Sequence, residues 1–451
     1  MLSDNKALLT EGDVNFSPSR KQWYKILDDE TIAMLHKDEE VFLHQSLSTP
    51  CLHVLESCDG IYITDISGKK YMDFHGNNVH QLGYNHPYII NAVKRQMEVL
   101  SFCPRRFTNK TVIAFSEKLV SLFPEKLNRV LFAPGGTSAV SMALKLAQVV
   151  TGKHQFASLS DSFHGASLDA IAVGGEVQFK KYMNSLSPQA INIPQPLSYR
   201  NVSDEGSDVH YAETLETILK ENQNIAAFIA ETIRNTDVQV PSKAYWKKIR
   251  EICSKYKVLL IVDEIPTAFG RTGKMFAFEN YEIEPDIVCL GKGMGGGIIP
   301  FAGIVTKGEF NIARDVSLGH FTHEKSPLGA AAGSALIEFI EHHDILKQVN
   351  ENAKWVHSEL NRLKDLYKVI GDVRGIGLLW GIEFVHNKEF KEKNNDIAER
   401  VMYKCLQKGL SFKVSQGNVI QLSPPLLISK KQLQEALAIL ENAIIEALKR
   451  K

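Results

Sequence analysis

The sequence has little that would tie it to a charged or lipid surface. Across 451 residues Lys plus Arg balance Asp plus Glu, 52 against 52, so no global field favours nucleic acid or an anionic membrane. Any anion must be recognised locally. No apolar run approaches the ~20 residues that span a bilayer, and the start, MLSDNKALLTEGDVNF, lacks the basic-then-apolar order of a secretory signal. A cytoplasmic, reducing compartment is expected. The six cysteines, Cys51, Cys58, Cys103, Cys253, Cys289 and Cys405, include no C-x-x-C pair, so they read as buried thiols, and no metal site is expected. Internal repeats and Pro/Gly/Ser-rich linkers are also missing, and domains have to be inferred from element type.

The length suits two domains, each with its own core. Residues 1 to about 50 look helical and polar, and a short β-rich stretch follows around GIYITDISGKKYMDF. The middle then alternates. Five short apolar runs, 129–134, 155–160, 225–231, 258–264 and 286–290, are separated by helical patterns. Runs of that length without polar alternation suit strands buried on both faces, with the helices as crossovers of a parallel sheet. One such helix should run from Ser242 to Tyr256 behind a serine cap. Toward the end, GLLWGIEF and GNVIQLS read as strands, and a last helix carries Leu433, Leu437, Leu440, Ile444 and Leu448 on one face. The expected fold is α/β: a large domain over 76–325 with a mainly parallel central sheet, and a smaller α+β domain from both chain ends, 1–75 and 326–451.

Open parallel sheets place chemistry in the turns after the carboxyl ends of their strands, and four such turns are informative. Gly135-Gly136-Thr137-Ser138 precedes a helical pattern, so backbone N–H groups and the Thr137 hydroxyl can converge on an anion there. An ordinary capped helix start reads the same way. Asp161-Ser162-Phe163-His164-Gly165 offers an aromatic that could stack on a flat ring, against the alternatives of a loop Phe and a core His. The apolar strand VLLIV ends in Asp263-Glu264, and charges at the end of a buried strand need partners. A carboxylate there can hold a protonated pyridine nitrogen; a cap or salt bridge is the other reading. Lys292 stands between Gly291 and Gly293 directly after DIVCL, an unusual place for a solvated charge, and desolvation favours its neutral, nucleophilic amine.

Together these motifs resemble the class III aminotransferases of pyridoxal phosphate (PLP) fold type I, from about residue 40 to the end. The resemblance implies PLP held as a Schiff base on Lys292. It also implies that Gly136 and Thr137 bind the phosphate, that Phe163 stacks beside His164, and that Asp263 faces the pyridine nitrogen. Glu231 matches the glutamate ending the preceding strand. Thr322 matches the residue that reaches the phosphate from a neighbouring subunit, implying a homodimer. V-R-G-I-G-L-L-W-G-I-E-F (373–384) and N-V-I-Q-L-S-P-P-L (418–426) look like C-terminal signatures of the family.

The departures bear on the substrate. Members that transaminate keto acids commonly carry an Arg that clamps the α-carboxylate where this chain has Gln421, and an amide lacks the charged bidentate fork. D-E-x-Q-T becomes Asp263-Glu264-Ile265-Pro266-Thr267, and the neutral T-F-G-G-N-P stretch becomes Thr322-His323-Glu324-Lys325-Ser326-Pro327. An outward salt bridge would explain the latter as well as a substrate role. Asn77, within His75–His80, and the pair Arg105 and Arg106 belong to regions that the resemblance puts near the substrate entrance. With Lys325 and Gln421 they are candidates for binding the substrate. The combination looks most like the subgroup of 1-hydroxy-2-aminoethylphosphonate ammonia-lyases. That implies a primary amine with a phosphonate group, eliminated to phosphonoacetaldehyde and ammonia. The alternative is an ω-aminotransferase passing the amino group to a keto acid such as pyruvate.

Overall fold

The computed structural model describes residues 17–45, 50–197, 199–200 and 208–449. The first 16 residues, read above as lacking a secretory pattern, lie outside that range. Two helices, Pro18–Tyr24 and Asp29–Val41, make up the described part of the polar N-terminal stretch.

A seven-stranded sheet forms from the apolar runs, in the spatial order Arg129–Ala133, Ala302–Thr306, Ile287–Leu290, Leu259–Asp263, Ile225–Glu231, Gln155–Leu159 and Ala190–Ile193. Six strands point the same way, and only Ala302–Thr306 runs against its neighbours. The absence of polar alternation has a direct cause. Ile261, Ile287 and Cys289 pack into the core beneath the helix Gly136–Thr151, while Leu260, Val262 and Val288 face the opposite core with Trp246 and Ile249. These two central strands are thus buried on both faces. Those two aromatic and aliphatic side chains belong to the helix Lys243–Lys255, capped by Ser242 as expected. Two strands lay outside the five runs: Ala190–Ile193 is a half-exposed edge, and Ala302–Thr306 is short and begins with Ala-Gly. Neither carries the long apolar signature.

Two four-stranded sheets flank this one. Leu55–Asp59, Tyr62–Asp65 and Lys70–Asp73 are joined by Leu410–Ser411, and Ile370–Ile376, Leu379–Phe384 and Val419–Leu422 by Lys413–Ser415. A single residue, Phe412, separates the pieces that enter the two sheets. The chain ends are therefore stitched together immediately beside Lys413. The last helix, Lys430–Leu448, buries Leu433, Leu437, Leu440 and Ile444, whereas Leu448 at its end is 41% exposed.

Of the paired charges that end the central strand, Glu264 is structural. Its carboxylate accepts from Thr232 Oγ1 (2.6 Å), Thr267 Oγ1 (2.9 Å) and the backbone N–H groups of Ala277 (2.8 Å) and Phe278 (2.9 Å). It pins the loop after the strand to the strand end. Glu264→Ala would orphan two buried N–H groups at about 1 to 3 kcal/mol each, so urea denaturation should show a loss of about 2 to 6 kcal/mol. A variant within about 1 kcal/mol of wild type would contradict this reading.

Candidate active site

The carboxyl ends of the central strands converge on a cavity of about 330 Å³, within the range of small-ligand sites. One wall is built of glycine turns. Gly136 opens the 16-residue helix Gly136–Thr151, and a Cβ on it would come within 2.9 Å of Ile265 Cδ1. Gly165 has a φ of +129°, and a Cβ there would collide with the Thr137 hydroxyl. Backbone can approach a ligand at this wall because no side chain intervenes. The helix N–H groups and Thr137 give it the character of an anion site.

Lys292 enters from the next turn with a φ of +46°, a left-handed conformation that costs a non-glycine residue roughly 1 to 2 kcal/mol. Its neighbour Gly293 leaves no room for a Cβ against the Gln81 amide. The strain is held by close packing, as at many functional sites.

At the floor, Glu231 and Asp263 stand in register on adjacent parallel strands. Asp263 Oδ2 lies 2.8 Å from His164 Nδ1, and Oδ1 accepts the Ile265 N–H at 3.0 Å. That pairing puts the imidazole proton on Nδ1. His164 Nε2 is buried without a partner among the described residues. Glu231 is different: burial, and then the charge of Asp263, push its carboxyl up to about 7. Oε1 accepts the Asn235 N–H at 3.2 Å, and Oε2 is buried without a partner among the described residues.

The far wall is amide-rich. Asn78 Nδ2 and Gln421 Nε2 both donate to Asn235 Oδ1, at 2.8 and 3.1 Å. Gln421 is fully buried and sits behind Asn235 without lining the cavity. Gly76, Asn77 and Asn78 are consecutive left-handed residues, a conformation asparagine tolerates well. His75 and Lys413 complete this side. Enclosure, with the positive charges of Lys413 and Lys292, holds the His75 imidazole well below its ordinary value.

Of the residues singled out in the sequence, Lys292, Asp263, Glu231, Gly136, Thr137, Phe163, His164 and Asn77 line the cavity. Arg105, Arg106, Thr322 and Lys325 do not. The two segments that carry them meet where Asn109 Nδ2 donates to the Lys325 carbonyl (3.1 Å) and Phe102 packs edge-on against His323 (5.2 Å). Thr322 and Arg106 are exposed there. Sequence reasoning missed Lys413 and Asn235. Lys413 lies between buried Phe412 and Val414, so its alternation resembles an ordinary solvated edge, whereas the polar cluster after IAAFIAE was a usable signal for Asn235.

The class III aminotransferase family model matches residues 44–444. This chain belongs to the class III aminotransferase family. It is 54% identical over 98% of its length to (R)-1-hydroxy-2-aminoethylphosphonate ammonia-lyase of Vibrio splendidus, covering 96% of that protein. It is 34% identical to adenosylmethionine-8-amino-7-oxononanoate aminotransferase of Aquifex aeolicus, over 87% of this chain and 92% of the other. Among solved structures it resembles taurine:2-oxoglutarate aminotransferase of Bifidobacterium kashiwanohense in complex with PLP and glutamate. The TM-score is 0.86 at 28% identity, over 93% of this chain and 98% of the other.

The chain is a PLP-dependent enzyme of PLP fold type I, and the cavity suits that cofactor. A glycine cradle at a helix N-terminus matches a phosphate, and Asp263, steadied by His164, matches a pyridine nitrogen. Lys292 would offer an amine to the aldehyde carbon. PLP contributes an electron sink beside the carbon that bears the substrate nitrogen. Borohydride reduction of the holoenzyme followed by peptide mapping should leave the label on Lys292, and Lys292→Ala should abolish turnover. A label on another lysine would overturn the assignment.

Proposed function

We propose that the enzyme is an ammonia-lyase that eliminates from (R)-1-hydroxy-2-aminoethylphosphonate to give phosphonoacetaldehyde and ammonia. Gln421 carries this reading. Where an α-carboxylate clamp would need a guanidinium, a buried amide holds another amide, Asn235, and among the described residues the cavity lining includes no arginine. Buried amides in that position give a keto acid such as pyruvate or 2-oxoglutarate no bidentate guanidinium fork to bind. The name of the Vibrio splendidus relative supports the same substrate.

In the proposed reaction Lys292, once displaced by the substrate amine, removes a proton from the carbon bearing nitrogen. Asp263 and His164 fix the charge opposite, Gly136 and Thr137 hold the anionic end of the cofactor, and Phe163 covers its ring. On this reading 76–325 is the cofactor-binding domain. The smaller domain, from 1–75 and 326–451, brings His75, Lys413 and Gln421 over it. Two complete sites then come from a homodimer in which Thr322, with Arg105, Arg106 and Lys325 beside it, serves the partner's cavity.

A dianionic phosphonate needs cationic ligands in a chain without net charge. Lys413, among the described residues the one lining lysine or arginine besides Lys292, joins Arg105, Arg106 and Lys325 as a candidate. Charge-assisted hydrogen bonds contribute about 1.5 to 3 kcal/mol, so truncating a true ligand should lower kcat/KM by about ten- to a hundredfold with cofactor absorbance unchanged. Wild-type holoenzyme mixed with the amino alcohol phosphonate alone should release aldehyde and ammonia. If it needs pyruvate as acceptor, and Lys413→Met, Arg105→Ala, Arg106→Ala and Lys325→Ala leave turnover intact, the ω-aminotransferase reading replaces this one.

A further inference from the structure

We propose that Glu231 is the general acid that protonates the departing hydroxyl, a role that rests on the elimination reading above. The elimination needs such an acid because hydroxide is a poor leaving group. As Lys292 takes the proton, the electron pair of the broken C–H bond ends as the new carbon–carbon double bond. The C–O bond breaks with its own pair going to oxygen, which must acquire a proton to leave as water. The Glu231 O–H bond supplies that proton, and the carboxylate left behind is reprotonated from the Lys292 ammonium or from solvent. The unsaturated amine then takes up one water and parts into aldehyde and ammonia. Atoms and charges balance without any further reactant.

The geometry points to Glu231 on three counts. It lines the same cavity as Lys292. Its Oε2 is buried without a partner among the described residues while Oε1 is held by the Asn235 N–H. An ionised carboxylate with one oxygen unsatisfied is costly in such a place, whereas the protonated form has a hydrogen to donate. Asn235 is in turn fixed by Asn78 and Gln421, so both neutral amides act on Glu231 as positioning residues. Cations could force the carboxyl to ionise, and Arg234 is the nearby one on the same turn. Its guanidinium is committed to Asp237 at 2.7 Å and Glu176 at 3.4 Å. Asp263 opposes ionisation while His164 and Arg234 favour it, and burial outweighs them: the carboxyl titrates near 7. That value suits an acid working at neutral pH.

The buried amides and the acid are one device. Gln421 is two hydrogen bonds from Glu231, and a guanidinium in its place would put a cation next to the carboxyl and favour the carboxylate.

Leaving-group chemistry tests the role. Holoenzyme and its Glu231→Gln variant are given 1-hydroxy-2-aminoethylphosphonate and the 1-chloro analogue, whose chloride departs without a proton. Exchange of the amine-bearing C–H for solvent deuterium in 2-aminoethylphosphonate, which has no leaving group, reports whether the variant still binds and deprotonates. The expected result is a loss of about 10²- to 10⁴-fold on the hydroxy substrate, with chloride elimination and exchange changed by no more than a small factor. In wild type, hydroxide elimination should fall as pH rises through about 7 relative to chloride elimination. The ratio cancels groups that serve both substrates, including Lys292, Lys413, His75, Asp263, His164 and Arg234. Equal losses on both substrates, full activity of the variant, or a pH-independent ratio overturns the proposal, the second pointing to Lys292 as its own proton donor. If wild type yields no aldehyde from the hydroxy substrate, the elimination reading fails first and takes this role with it.

Discussion

Two carboxylates that cannot both ionise cheaply organise this active site. Glu231 and Asp263 end neighbouring strands of one buried sheet, in register, where water is scarce and like charges repel. The surroundings divide the work between them. Asp263 has a donor on each oxygen, one of them the His164 imidazole. Glu231 has a single backbone donor and burial all round, so its environment rewards a neutral acid. Different surroundings for the same functional group are how one fold can support both charge stabilisation and proton donation. Asp263 suits a partner for a pyridine nitrogen, and Glu231, whose carboxyl burial pushes up to about 7, suits a proton donor.

Much else in the site can be understood as protecting that division. Glu264, one residue beyond Asp263, is satisfied four times by the loop it anchors, so it does not compete in the cavity. Arg234 is engaged by Asp237 and Glu176. Gln421 brings an amide where a guanidinium would bring charge. A relative that clamps a carboxylate with arginine gains a keto-acid site, and by the same physics it would lose a neutral glutamic acid nearby. The proposed choice between transfer and elimination thus reduces to whether an amide or a guanidinium stands behind Asn235.

Sequence patterns revealed the frame more readily than its corners. The five apolar runs became strands because their lack of alternation reflects burial, and their last residues and the turns after them supplied Gly136, Thr137, Phe163, His164, Glu231, Asp263 and Lys292 to one cavity. Ala302–Thr306 escaped because five residues with a glycine among them carry no periodic signal. Lys413 escaped for a different reason: its place depends on where residues 410–415 cross from one small sheet to the other, and no local pattern encodes that crossing. Arg105, Arg106 and Lys325 were visible as a basic cluster, but composition could not tell a patch outside the cavity from one inside it. Gln421 was noticed as a departure, whereas its hydrogen bond to Asn235 required the fold.

The central claim is that Glu231 is neutral beside Asp263. It is tested most directly by carboxyl-selective ¹³C labelling of glutamate in the holoenzyme, with Glu231→Gln used to assign the signal, and titration by NMR. The account predicts one glutamic carboxyl that remains protonated through weakly acidic conditions and titrates near 7. A Glu231 signal already ionised in the ordinary carboxylate range, at about 4 to 5, would contradict it.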